Sequence, residues 1–351
     1  MQRKMRIGIV GAGLMGRWHA HAARQAGASV VAIADPDLER AQRLASPLGA
    51  VAVKTVGDLF QASNIAALHI CTPTHTHVQI TRDALRHGAH VFIEKPLAAN
   101  EDETKALLVE AERASKLICP AHQYAFQRSV NKILMRMSEA GALTSIELKF
   151  FSAGAAACDA DTYAAIAGDI LPHSLSILHR LFPAQPLAAL EWRIDCTING
   201  EWELGATIEK TRIRILIGLL SRPTTAFLTI CGTHGAFEAD LFHDYVLWRG
   251  GTVSRSAKIA QPFVRSAGHL AAAAYNLAYR GFRNEPAYPG LRTLISKFYE
   301  ACASGGAAPI SNQQIIDAAR VRDRFIAAET ADGQLPTIPQ SIGSQYREGG
   351  L

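Results

Sequence analysis

The chain has 351 residues, 48% of them hydrophobic and 19% charged, and carries a formal net charge of +5. That length accommodates two domains with real cores, and the composition excludes a disordered chain. No stretch approaches the ~20 apolar residues that span a bilayer. The basic start, MQRKM, runs into too short an apolar segment for a signal peptide and reads as the lead-in to a first strand. The cysteines (Cys71, Cys119, Cys158, Cys196, Cys231, Cys302) show neither CxxC nor zinc-type spacing, which points to reduced thiols and a cytoplasmic protein.

The first strand, Ile7–Val10, breaks at Gly11, and Gly13 and Gly16 follow before a helix over Gly16–Ala26 that Gly27 stops. This is the G-x-G-x-x-G arrangement of a dinucleotide-binding βαβ unit. Gly11 permits the tight turn, Gly13 lets a pyrophosphate approach the backbone, and Gly16 lets the helix pack on the sheet. Leu14 and Met15 complete the candidate cofactor loop, whose helix N-terminus offers N–H groups to phosphates. A β-branched strand, Ser29–Ala34, ends at Asp35, about twenty residues past the glycines, where an acid bonds ribose hydroxyls and repels a 2′-phosphate. Asp35 followed by Pro36 also suits a helix N-cap with proline at the first helical position. With Pro36 standing where a phosphate-binding arginine would be convenient, NAD is expected in preference to NADP.

A helix over Asp37–Ala45 and a strand over Ala66–Cys71 lead to Thr72–Pro73. A helix over Val78–His87, a strand over His90–Glu94 and a helix over Glu101–Ala114 follow. Such alternation implies an α/β, doubly wound parallel sheet of Rossmann type with ligands at the strand carboxyl ends. Glu94 and Lys95, before Pro96, lie at one of those ends. A lysine there can donate hydrogen bonds to the nicotinamide ribose and a substrate oxygen, and its charge favours a developing alkoxide; by spacing alone, a strand-end lysine is more often just solvated. Residues 1–121 thus read as an NAD(P)-binding domain.

From residue 122 the pattern changes to a second domain, 122–330, with a loose tail at 331–351. Ser145–Ser152, Ala189–Cys196, Trp202–Glu209, Arg212–Leu219, Thr225–Cys231 and Phe237–Leu241 read as strands of a mostly antiparallel open sheet in an α+β domain. Helices are expected around Ile166–Leu181, Leu291–Ala303 and Gln313–Ala328. Asp169 and His173, four apart, share a helix face unless Pro172 sits in that helix's first turn. They suit a general base with its orienting carboxylate, but also a surface pair, a packed histidine or a metal pair. His19-x-His21 and His75-x-His77 offer no obvious companion ligands, so no metal is expected. Between Tyr245 and Asn284 there is no acid, while Arg249, Arg255, Lys258, Arg265, Arg280 and Arg283 fall there. A solvated basic face, a surface for a phosphorylated substrate, and attraction to an anionic membrane surface compete. The apolar residues of Gln261–Phe282 also suit a helix packed on a partner subunit. Nucleic acid is not expected, since no recognition motif accompanies the charge.

The segments GIVGAGLMGRWHA, CTPTHTHVQI, ALRHGAHVFIEKPLA, GDILPH, GTHGAFEAD and PGLRTLISKFYEA together resemble the Gfo/Idh/MocA oxidoreductases, the glucose-fructose oxidoreductase and inositol dehydrogenase family, over nearly the whole chain. The resemblance places the family's T-P-x-x-x-H pattern on Thr72, Pro73 and His77, its catalytic lysine on Lys95, and its D-x-x-x-H pair on Asp169 and His173. It implies an NAD(P)-dependent enzyme oxidising a secondary hydroxyl, or reducing a ketone, of a sugar, cyclitol or nucleotide-linked sugar. His173 would take the proton, Lys95 stabilise the oxygen and Asp169 orient the base. Ser176 stands where the family often has aspartate, and Ala125–Arg128 where many members have Arg-Phe-x-Pro, so no particular sugar is implied. His122, Gln123 and Tyr124 become candidate substrate contacts. A homo-oligomer, dimer or tetramer, is expected from the open sheet face. A non-catalytic NAD(P)-binding regulator of the same fold is the competing reading.

Overall fold

Short apolar runs separated by amphipathic segments produce a parallel sheet, because strands buried on both faces need no alternation. The computed structural model describes residues 4–152, 160–198, 200–251 and 254–331, so Cys158 and the expected tail beyond 331 lie outside the described residues. Two units result, Met1–Gln127 with Glu285–Arg320, and Arg128–Asn284 with Val321–Leu351. The expected block 122–330 is therefore interrupted. Its first six residues and Glu285–Arg320 belong with the nucleotide-type unit, because helix packing rather than chain order sets membership.

The first unit runs β1 (Arg6–Val10), α1 (Leu14–Gln25), β2 (Ser29–Ala34), α2 (Leu38–Ala45), β3 (Val51–Val53), α3 (Val56–Ala62), β4 (Ala67–Ile70), α4 (His77–Arg86), β5 (His90–Ile93), α5 (Glu101–Arg113) and β6 (Ile118–Pro120). Its strands pair in parallel in the order β3-β2-β1-β4-β5-β6, and the order reverses between β1 and β4. Ligands bind such sheets at that switch point, beyond the carboxyl ends. β3 and β6, three residues each, are too short to show a period in sequence. The side chains of Asp37, Thr55 and Asn100 cap α2, α3 and α5. Asp37, not Asp35, is thus the N-cap of α2, which leaves the Asp35 carboxylate for other work.

The second unit runs α6 (Arg128–Arg136), β7 (Leu143–Phe151), α7 (Ala160–Leu181), β8 (Arg193–Ile198), β9 (Glu201–Ile208), β10 (Thr211–Gly218), β11 (Thr225–Gly232), β12 (Gly235–Asp240), β13 (Tyr245–Gly250) and α8 (Arg255–Phe282). Its sheet, β13-β12-β11-β7-β10-β9-β8, is antiparallel except between β7 and β10. Alternation buries one face, with Ile146, Leu148, Leu204, Ile213, Ile215 and Leu228 fully covered. The strand expected at Ala189 starts only at Arg193, because Leu187–Ala189 forms a 3₁₀ turn. α9 (Leu291–Ser304) belongs to the first unit, where Phe298 meets Phe92 with ring centroids 5.4 Å apart. α10 (Asn312–Ala331) contributes its residues through Arg320 to the first unit and the rest to the second.

At the head of α5, Glu101 accepts from Arg320 at 2.7 Å and lies 2.6 Å from Lys105 Nζ. The Arg320 hydrogen bonds, assisted by Lys105, bring its pKa down to about 2 from an ordinary 4.5. Its folded pKa lies below its unfolded one, so the pair stabilises fully above pH ~4.5 and fades as pH falls towards 2. Glu101→Gln is expected to cost less than about 1 kcal/mol at pH 7, solvent screening limiting the pair, and nothing near pH 2. Denaturant titrations of both proteins across that range measure the difference.

Candidate active site

The glycine loop follows β1. Gly11 has φ +91, and a Cβ there would meet the Cys71 carbonyl oxygen at 2.5 Å; a Cβ on Gly16 would overlap the carbonyl oxygen of Gly11. Gly13 caps α1 without any side-chain hydrogen bond, no acid stands in the first turn, and a Cβ on Gly13 would meet nothing within 4 Å. Leu14 is exposed and Met15 half-buried beside it. Asp35 is buried at the end of β2. Its Oδ2 accepts from the Ala12 N–H at 2.8 Å and its Oδ1 from the Asp37 N–H at 2.9 Å. These features fit a dinucleotide: open backbone at Gly13 and an uncapped helix end for pyrophosphate, with a buried acid beside the loop for ribose hydroxyls.

The ends of β4 and β5 supply the next groups. His77 is buried, with Nδ1 2.9 Å from the Pro96 carbonyl oxygen and Nε2 2.8 Å from that of Thr72. A carbonyl oxygen thus lies within hydrogen-bond distance of each ring nitrogen, and His77 sits between the two strand-end loops. Thr76 Oγ1 donates to Thr72 Oγ1 at 2.7 Å, whereas Pro73 is exposed. The Lys95–Pro96 peptide is cis, and Lys95 is half-buried.

Beneath Glu94 runs a buried chain that sequence reasoning missed. Glu94 Oε1 is 2.9 Å from His19 Nε2, His19 Nδ1 is 3.2 Å from His69 Nδ1, and His69 Nε2 is 2.8 Å from the Tyr299 hydroxyl. Burial, then the neighbouring His19, pushes His69 well below the usual histidine pKa, so it is neutral. One proton arrangement satisfies every group: the Tyr299 hydroxyl donates to His69, His69 to His19, and His19 to Glu94. Burial raises the Glu94 carboxyl, but the hydrogen bond from His19, with the charge and N–H of Lys95, outweighs it and leaves the net pKa lowered. Glu94 therefore presents a fixed anion beside Lys95. Burial drives the neighbouring Cys71 thiol up, which makes it unreactive. The only sequence trace was His19, three residues after Gly16 and visible merely as half of an H-x-H pair.

His122 and Gln123 are buried and Tyr124 half-buried after β6; the Gln123 side-chain oxygen, also buried, has no hydrogen-bond partner among the described residues. In the second unit, Asp169 and His173 lie one turn apart in α7, and Pro172 is interior to that 22-residue helix rather than in its first turn. Proline has no N–H, so the Gly168 carbonyl loses its helical donor. Arg322 replaces it, Nε donating to Gly168 O at 3.1 Å while Nη2 reaches Asp169 Oδ1 at 3.2 Å. One guanidinium both repairs the helix and fixes the carboxylate. His173 is buried, its ring centroid 6.1 Å from that of Phe150. Ser176 Oγ donates to the His173 carbonyl. Among the described residues no group of three or more His, Cys, Asp or Glu is arranged to hold a metal ion. Gly11, Gly13, Gly16, Asp35, Thr72, His77, Glu94 and Lys95 are thus assembled by one unit, and Asp169 and His173 by the other.

Gly16→Ala is expected to abolish NADH binding in a fluorescence titration, since backbone cannot yield to the added methyl. His19→Ala strands Glu94 and His69 and should lower stability by about 1–3 kcal/mol in denaturant melts. Arg322→Ala should cost a similar amount, about 1–3 kcal/mol, by exposing the Gly168 carbonyl to no donor.

The family model described as Oxidoreductase family, NAD-binding Rossmann fold (Gfo/Idh/MocA) matches residues 5–122. Inositol 2-dehydrogenase 4 of Saccharopolyspora erythraea is 41% identical over 116 residues, 32% of this chain and 34% of that protein. The chain thus spans about a third of the length of this curated relative. Among solved structures, the UDP-N-acetylglucosamine 3-dehydrogenase of Acidithiobacillus ferrooxidans superposes with a TM-score of 0.72 at 18% identity, covering 95% of this chain and all of the other. The WlbA dehydrogenase from Bordetella pertussis, in complex with NADH and UDP-GlcNAcA, gives 0.68 at 18% identity over 97% of this chain and 99% of that one. These likenesses extend the shared fold across both units. Over residues 5–122 the chain is similar to the Gfo/Idh/MocA oxidoreductases and matches their NAD-binding Rossmann fold.

Proposed function

We propose that the protein is an NAD-dependent dehydrogenase acting on a secondary hydroxyl or ketone of a sugar, cyclitol or nucleotide-linked sugar. The observation that carries this reading is Lys95, half-buried beside the Glu94–His19 pair at the strand ends that bear the glycine loop. Bound NAD supplies the two-electron hydride acceptor. The α1 N-terminus, Gly13 and Asp35 would hold and orient it, together with Leu14, Met15, Thr72 and Pro73. Lys95 donates a hydrogen bond to the substrate oxygen, and its charge favours the oxygen as negative charge develops. His173 takes the hydroxyl proton, and Asp169, tied by Arg322, orients the imidazole. His122, Gln123 and Tyr124 are the substrate contacts nearest the end of β6, and the orphaned Gln123 oxygen supports that role. The names of the relatives make inositols and UDP-linked N-acetylhexosamines the first substrates to test.

We also propose a cytoplasmic homo-oligomer, dimer or tetramer. The second unit's sheet leaves one face lined by Arg193, Glu203, Arg212 and Arg214, a shallow concavity suited to a second copy.

A screen for NADH formation over free, phosphorylated and nucleotide-linked sugars and inositols tests the enzyme reading. His173→Ala is expected to lower kcat by about a hundredfold or more with NAD affinity unchanged, and Lys95→Met by about 10²–10³. Equal rates in the His173 variant would place the base elsewhere. Tight NAD binding with no turnover across the panel would favour a regulatory protein.

A further inference from the structure

A surface helix ordinarily buries its apolar face and shows its polar face to water. α8 does the reverse. Its polar side is the one fastened to the domain: Arg265 lies 3.4 Å from Glu238 and His269 3.9 Å from the same carboxylate, while Asn276 and Arg280 donate to the carbonyl of His243. Its apolar side faces outward. Ile259, Phe263, Val264, Leu270, Tyr275, Leu277 and Phe282 are 57–94% exposed. At 100° per residue these seven span a sector about 160° wide, and the residues between them are alanines and Gly281. No charge interrupts that sector.

Cations border it along one margin, where Arg128 and Lys132 of α6 stand 4.9 and 5.9 Å from the Tyr275 ring. No acid occurs from Tyr245 to Asn284. We infer that α8 is a membrane-surface anchor that lies in the plane of an anionic phospholipid leaflet, its apolar sector among the acyl chains and the flanking cations at headgroup level. No described helix is long and apolar enough to cross a membrane, so α8 rests on the bilayer rather than spanning it. Charge favours lipid over a second copy of the chain, which would bring the same acid-free segment to the contact. The sector is also wider than the narrow seam that a single partner helix covers.

Flotation of the full chain with vesicles of phosphatidylcholine mixed with phosphatidylglycerol, and of phosphatidylcholine alone, provides the test. The protein is expected to float with the mixed vesicles, to be depleted from them by high salt, and to stay behind with phosphatidylcholine alone. The triple variant Phe263→Ser, Leu270→Ser, Leu277→Ser should lose more than about tenfold in partitioning. None of these exposed positions belongs to the nucleotide or proton-transfer machinery. An unchanged thermal melt and unchanged NADH binding in the variant would show that it folds, independently of any turnover. Absence of wild-type flotation, or equal flotation with both vesicles, overturns the inference. So does a triple variant whose only change is dissociation of a wild-type oligomer, since a second copy would then cover the sector.

Discussion

The close approach of α1 to β1 is the constraint from which the candidate site follows. Gly16 must lack a side chain for the helix to sit against the Gly11 carbonyl, and that contact sets where the helix N-terminus points. The same helix sends His19 down to Glu94, so the glycine loop and the strand end that carries Lys95 are held by one rigid element. Asp35 locks the loop from the other side through the Ala12 N–H. Moving α1 would disturb all three at once, which ties the shape of the glycine loop mechanically to the placement of Lys95.

The second unit solves a different problem with a similar economy. Pro172 leaves a carbonyl without its donor in the helix that carries Asp169 and His173. Arg322, from the far end of the chain, supplies the missing donor and grips Asp169 with the same group. A local defect is thereby converted into a long-range restraint on the Asp169 carboxylate. α8 shows the same logic inverted. It is anchored by polar contacts to Glu238 and the His243 carbonyl, so its apolar sector remains open to whatever phase lies outside.

Much of the first unit was legible in the sequence because its strands are short, apolar and punctuated by glycine, and because strand ends in such sheets are where ligands sit. The glycine loop and Asp35 stood out by spacing, whereas Lys95 and the Asp169–His173 pair were singled out as catalytic candidates by the family resemblance. Short-range rules misjudged the details that depend on competition between neighbours. Asp37 outcompeted Asp35 for the α2 cap, and Pro172 was tolerated deep in α7 once Arg322 was available. The three-residue strands β3 and β6 form because the sheet already offers them an edge.

The order of residues alone determined the doubly wound sheet, the dinucleotide loop and the charge segregation of residues 245–284, since each is written in local periodicity or composition. Only the tertiary structure decided that His19, His69 and Tyr299 form a buried relay to Glu94, that residues 285–320 return to the first unit, and which side of α8 faces out. Those outcomes turn on contacts between residues tens to hundreds of positions apart, where close packing and the need to satisfy buried polar groups choose partners that no local pattern specifies.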